Sequence, residues 1–145
     1  MVFMVFFLVV YGLLTYGFVF AAQQQLNYAA EEGARSALYW QGGRQLPLRA
    51  SLAASNAGLQ ADWVGRMGGS PAVVTVCGPA GLLSGSGACS GVPLEADQIE
   101  VMVSYAYGSF PLVPLLPGMG VLVPDRLSSR ASVRIGGQAD QPAAS

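Results

Sequence analysis

The first twenty-two residues, Met1 to Ala22, constrain the fold of this chain most, because they contain no charged residue and no proline. As an α-helix this run is about 33 Å long, which is enough to cross the hydrocarbon core of a bilayer. The residues that follow, Gln23 to Gln25, are polar, but the first proline is Pro47. We therefore predict one continuous helix over residues 1–40, transmembrane at 1–22 and continued by a polar extension at 23–40.

A cleaved signal peptide is the alternative interpretation of the apolar run. Such a peptide has a basic segment, then a shorter apolar core, and ends at a small-x-small cleavage site. Here no basic residue precedes the run, the run is longer, and residues 18–25 contain only a poor cleavage site. The sequence therefore favours a helix that stays in the membrane.

A second helix is predicted after the first, beginning near Pro47, since proline is favoured in the first turn of a helix. Large apolar residues recur at helical spacing and predict its buried stripe. They are Leu48, Leu52, Leu59, Trp63 and Met67, and Ala53, Ala54 and Ala57 fill out the stripe.

Three later segments predict β-strands. Residues 72–77 are β-branched, and residues 98–107 and 130–135 alternate between apolar and polar side chains. Because no helix separates these segments, they favour an antiparallel sheet with the helices on one face. The predicted fold class is α+β, with the globular domain over residues 41–136 and a small, polar, disordered tail over 137–145.

The segment from Phe110 to Pro124 is apolar but carries four prolines and two glycines. Prolines exclude both a membrane helix and a central strand here. Such a loop either covers an open edge of the core or presents a hydrophobic surface to a partner. We favour the first of these interpretations.

The two cysteines, Cys77 and Cys89, enclose a stretch rich in glycine and serine that can fold back easily. If the domain lies outside the cytoplasm, a disulfide is expected. Two reduced thiols in a cytosolic domain are the alternative. A metal site is disfavoured because the chain has no histidine and no CxxC pair.

Composition argues against most kinds of chemistry. Without histidine no Ser-His or Cys-His pair can form, and without lysine neither a Schiff base nor a P-loop is available. The net charge of -1 and the scattered arginines disfavour nucleic-acid binding. Glu95 and Asp97 are a candidate carboxylate pair, but a solvated loop explains them better. We predict no enzymatic activity, catalytic residue, cofactor, metal or small-molecule substrate.

Small residues recur along the first helix, and small residues allow another helix to approach closely. In the apolar part these are Gly12, Gly17 and Ala21. In the polar part a stripe at helical spacing comprises Leu26, Ala29, Ala30, Gly33 and Ala37. This stripe is either a face for assembly with other helices or the base of the domain's own core, and both alternatives remain.

The block from Tyr11 to Leu38 resembles the N-terminal signature of TadE-like pseudopilins, the minor pilins of tight-adherence (Tad, or Flp) type IV pilus systems. The family's AAxEGAR motif corresponds here to residues 29–35, with the charged residues Glu31, Glu32 and Arg35. Residues 101–107, 111–124 and 128–135 resemble the family's later part. The family's glycine cleavage site and following glutamate do not occur before Phe6, so the chain either starts late or is processed differently.

The resemblance implies a structural role in the assembly of an adhesion pilus. Such a subunit lies in the bacterial inner membrane as a single-pass protein with a periplasmic domain. Its partners are other pilin subunits, the inner-membrane assembly machinery and membrane lipid. The alternative is a single-pass scaffold that binds assembly partners without entering the filament. A periplasmic location also supports the disulfide between Cys77 and Cys89.

Overall fold

The computed structural model describes residues 1–39 and 45–136. Two helices pack on one face of a four-stranded antiparallel sheet, whose strand order is β2-β1-β3-β4. The elements are α1 Val2–Ser36, α2 Leu46–Gly68, β1 Val73–Gly78, β2 Gly81–Gly85, β3 Gln98–Tyr105 and β4 Leu127–Arg134, with a short 3-10 helix at Met119–Val121. The predicted α+β fold class is therefore confirmed.

The central strand β3 forms the floor of the core because its side chains alternate between the two faces of the sheet. Ile99, Val101, Val103 and Tyr105 are buried beneath the helices. Strand β4 follows the predicted alternation, with Ala131 and Val133 partly buried and their neighbours exposed. The alternating pattern thus identified both strands and the face that each turns inward.

Strand β2 was not predicted, and it lies within the glycine-rich stretch between the two cysteines. It forms a hairpin with β1, in which Val76 faces Ser84 and Gly78 faces Gly81. Gly85 has a positive φ of 85°, and a side chain there would collide with the carbonyl of Val74. The pairing therefore requires glycine at a position where sequence rules favour a loop.

One face of α1 is buried by the rest of the protein. Its residues recur every three or four positions, and we call them the inward stripe. They are Thr15, Val19, Ala22, Leu26, Ala29, Gly33 and Ser36, of which Val19 is partly buried and the others are buried. Because α1 packs along this stripe from Thr15 onward, the second half of its apolar run lies beside the domain.

The predicted buried stripe of α2 is confirmed for Ala53 and Ala57 and wrong for three of its large residues. Leu48, Leu59 and Met67 are exposed, while Ala50, Ala53, Ala57 and Ala61 are fully buried. A Cβ at Gly33 would lie only 2.8 Å from the Cβ of Ala57, so the two helix backbones approach closely. Leucine side chains do not fit into such a contact, and the alanine face of α2 turns inward instead.

The C-terminal end of α1 is held by a buried arginine of α2. The Nη1 of Arg49 donates a hydrogen bond of 2.7 Å to the carbonyl oxygen of Ala37, and Arg49 is only 5 % exposed. A cation at this end satisfies a free carbonyl and interacts favourably with the helix dipole. The helix ends at Ser36, short of the predicted end at residue 40, and residue 40 and the predicted tail at 137–145 lie outside the described residues.

The close contact at Gly33 predicts opposite effects for two glycine substitutions. Gly33→Ala places a methyl group against Ala57 and the carbonyl of Ala53, and should lower the free energy of unfolding by about 1–3 kcal/mol. Gly58→Ala, on α2 with no atom within 4 Å of the added carbon, should raise it by about 0.5–1 kcal/mol. Thermal unfolding of the detergent-solubilised protein, followed by circular dichroism, measures both. Equal effects of the two changes would contradict the close contact.

Candidate functional site

The face of α1 opposite the domain is the candidate assembly surface. Its residues also recur every three or four positions, and all of them are exposed; we call them the outward stripe. They are Leu14, Gly17, Ala21, Gln24, Tyr28, Glu31 and Arg35. Since a helix has 3.6 residues per turn, this spacing keeps them on one side along the whole helix. The stripe continues from the apolar part of α1 into its polar part.

The structure divides the predicted packing residues between two faces of α1. Leu26, Ala29, Ala30, Gly33 and Ala37 are all buried inside the protein's own core. For these residues the structure shows the second of the two alternatives, the base of the domain core. Substitutions here would disturb folding first, so they cannot report on assembly alone.

The glycines and alanine of the apolar part are placed differently. Gly17 and Ala21 are exposed on the outward stripe, four residues apart, and Gly12 is half-buried near the edge of the domain. Neither Gly12 nor Gly17 has an atom within 4 Å of the position that a Cβ would occupy. A small-xxx-small pair with free space around it is suited to close approach of a second helix.

The charges of the family motif lie at the polar end of α1. Glu31 and Arg35 are exposed on the outward stripe, and Glu32 is half-buried beside it. Among the described residues no salt bridge joins Glu31 to Arg35, although their spacing would allow one. Both charges are therefore accessible to a partner.

The disulfide between Cys77 and Cys89, predicted for a domain outside the cytoplasm, is present in the structure. Next to it, Glu100 is buried on the outer face of the sheet and accepts a hydrogen bond of 2.7 Å from the hydroxyl of Ser90. The Nη1 of Arg130 lies 3.7 Å from the other carboxylate oxygen of Glu100. Disulfide and carboxylate together hold the long connection between β2 and β3 against the sheet.

The loop from Phe110 to Pro124 packs against both the core and α1. Leu112 and Val123 pack on the core, as predicted for a covering loop. The hydroxyl of Tyr16 donates a hydrogen bond of 3.0 Å to the carbonyl oxygen of Leu122, and that of Tyr105 donates one of 2.6 Å to Phe110. Part of the loop remains uncovered, since Val121 is 92 % exposed and Leu122 61 %.

Tyr107, just before this loop, is fully buried. Burial raises the pKa of Tyr107, the polar backbone of Leu112 opposes this rise, and the nearby phenols of Tyr105 and Tyr11 add to it. The proximity of Tyr107 to Tyr11 places the end of β3 beside the apolar part of α1.

Sequence reasoning did not single out Arg49, Tyr16 and Glu100 as residues that hold the fold together. Glu100 is one of the polar residues of the alternating segment 98–107, where a charge is ordinarily solvated. The sequence around Arg49, near the start of α2, does not indicate that its side chain will cap the end of α1. A tyrosine in an apolar run, such as Tyr16, is typical of membrane segments. Only the tertiary structure brings the partners of these three side chains together.

The candidate carboxylate pair lies in the connection that precedes β3. Glu95 is about two-thirds exposed and lies 3.9 Å from Arg134, which is equally exposed, while Asp97 uses its backbone carbonyl to accept a hydrogen bond from Ile135.

A shallow groove of about 430 Å³ crosses the outer sheet face near Thr75, Met102 and Arg126. Within residues 1–39 and 45–136, no group of three or more metal-ligating side chains is found.

A small α+β domain built onto the second half of one long apolar helix fits a single-pass membrane protein. Helix α1 is long and apolar enough to cross a membrane. The model of the TadE-like protein family matches residues 1–35, which is nearly the whole of α1. This match confirms the predicted resemblance over those residues and supports a role associated with the Tad pilus. Neither a curated protein nor a solved structure matches the chain.

Loss of the disulfide should destabilise the domain without changing α1. Replacing both cysteines by alanine removes a cross-link between residues 12 positions apart and should lower the free energy of unfolding by about 2–3 kcal/mol. Denaturant unfolding of the detergent-solubilised protein measures the loss. Reduction of the wild-type protein should reproduce the change and leave the double variant unaffected; a reductant effect on the variant would contradict this assignment.

Proposed function

We propose that this protein is a structural, pilin-like subunit of a Tad/Flp-type adhesion pilus. It enters the filament, or primes it, by packing α1 against the helices of other subunits. The observation that carries the proposal is the outward stripe, a continuous face of α1 that the protein's own domain leaves uncovered. The TadE-like match lies on this same helix.

Before assembly, α1 anchors the chain in the bacterial inner membrane as a single-pass protein. The domain then lies in the periplasm, where the disulfide is stable because that compartment is oxidising. Other pilin subunits and the inner-membrane assembly machinery are its partners. No enzymatic activity is part of this role, in keeping with a chain that has neither histidine nor lysine.

Two properties of the outward stripe suit it to helix packing. In the apolar part, Gly17 and Ala21 allow a neighbouring helix to approach closely, and this packing replaces the lipid that surrounds α1 in the membrane. In the polar part, Glu31 of one subunit can pair with Arg35 of the next, because both side chains are exposed. The stripe thus offers shape complementarity at one end and charge complementarity at the other.

Enlarging Gly17 tests the apolar part of the stripe. Gly17→Leu should preserve membrane insertion and folding, because no atom lies within 4 Å of the added Cβ, but it should strongly reduce the amount of this chain in sheared, purified pili. Gly12→Leu is the matched control, since Gly12 also has free space but lies outside the outward stripe. Immunoblots of membrane and pilus fractions measure both variants.

The same fractions separate the competing functions. If the wild-type chain is absent from purified pili while its deletion abolishes piliation, that result would support the scaffold role and contradict the role of filament subunit. Loss of incorporation with Gly12→Leu but not with Gly17→Leu would place the packing face on the other side of α1.

Charge reversal tests the polar part of the stripe. Arg35→Glu should abolish incorporation into pili, and adding Glu31→Arg should restore it if the two residues pair between subunits. Arg66→Glu is the control for charge reversal of an exposed arginine in the last turn of a helix, and it also breaks the salt bridge that Arg66 forms with Asp62. Each single reversal costs about 0.3–1 kcal/mol through the helix dipole, so equal loss of pili with both would indicate a folding defect.

A further inference from the structure

The loop from Phe110 to Pro124 lies at the level of the apolar part of α1. Tyr16, whose hydroxyl bonds to the carbonyl of Leu122, is six residues before the end of the apolar run at Ala22. At 1.5 Å per residue, the loop therefore reaches about 9 Å back along the apolar run. If α1 is in the bilayer, the loop cannot lie wholly in bulk water.

The composition of the loop suits a lipid surface. No charged residue occurs from Val101 to Pro124, and Val121, Leu122 and Phe110 expose their side chains. Exposed apolar residues that continue an apolar membrane helix form one surface with it. Tyr16 lies along the same stretch, and tyrosine is enriched where a membrane meets water.

The backbone of the loop is also adapted to partial desolvation. Unpaired backbone N–H and C=O groups cost free energy away from water. Proline has no backbone N–H, so none is left unpaired at its position. Four prolines occur in this segment. The tip is closed by its own hydrogen bonds, from Leu122 to Met119 and from Met119 to Leu116, at 2.9 and 3.0 Å. The carbonyl of Leu122 is satisfied by Tyr16.

We propose that this loop is a second membrane contact, which inserts Val121 and Leu122 into the headgroup and acyl-chain boundary of the leaflet facing the domain. Segments that lie in this boundary are buried by about 5–10 Å, which agrees with the reach of the loop along α1. The exposed Asp125 and Arg126 follow directly and remain in water. The inference rests on the proposed function in one respect, that α1 is inserted in a bilayer before assembly.

Fluorescence quenching by lipid tests this contact on the full chain. Single cysteines at Val121, Leu48 and Val5 are labelled with bimane, and each protein is reconstituted into vesicles of phosphatidylethanolamine and phosphatidylglycerol with brominated acyl chains. The native cysteines do not react because they form the disulfide. Leu48 is the matched control, an exposed apolar residue at the far end of the domain, next to Arg49. Val5 reports on insertion of α1.

The expected result is loss of most fluorescence at Val5 and Val121, with little loss at Leu48. Quenching at Val5 but no more at Val121 than at Leu48 would overturn the loop contact and leave the proposed function intact. Strong quenching at both Val121 and Leu48 is one form of that outcome, and it would mean that the domain lies on the bilayer without a defined orientation. Absence of quenching at Val5 would overturn the membrane-anchored stage, and the loop contact with it.

Discussion

The close approach of α1 and α2 is the constraint on which the rest of the structure depends. Gly33 meets Ala53 and Ala57 at contact distance, and the inner faces of both helices are dominated by small residues. A contact of this kind gains its energy from many short-range dispersion contacts and tolerates no larger side chain. It directs the inward stripe of α1 to the domain and thereby turns the outward stripe away from it. One packing contact thus decides which face is available for assembly.

The alternation in β3 and β4 could be predicted from sequence because a strand has a period of two, and a single buried face then determines the pattern. Helix α1 could be predicted because length and the absence of charge suffice. The hairpin strand β2 could not, since glycine carries no strand signal and only pairing with β1 holds it. The inward face of α2 was mistaken because hydrophobicity favours leucine for burial, whereas the distance between the helices favours alanine.

For the candidate assembly surface, the sequence predicts the helix and its small residues, but not which face of the helix the domain covers. The inward and outward stripes both recur every three or four positions, and the hydrophobic contrast between them is weak because most residues of the inward stripe are small. Which stripe meets the domain depends on α2 and the sheet, whose positions are set by long-range contacts. Arg49 illustrates the same limit, because its partner is the carbonyl of Ala37 on another helix.

The packing of the domain along α1 from Thr15 onward bears on the work needed to remove the protein from a bilayer. Residues Met1 to Val9 are exposed on all sides, and as a helix they span about 14 Å, whereas the whole apolar run spans about 33 Å. Beyond them, one side of the helix is already covered by protein. In the proposed filament, neighbouring subunits would therefore replace complete lipid solvation over only the first turns of α1.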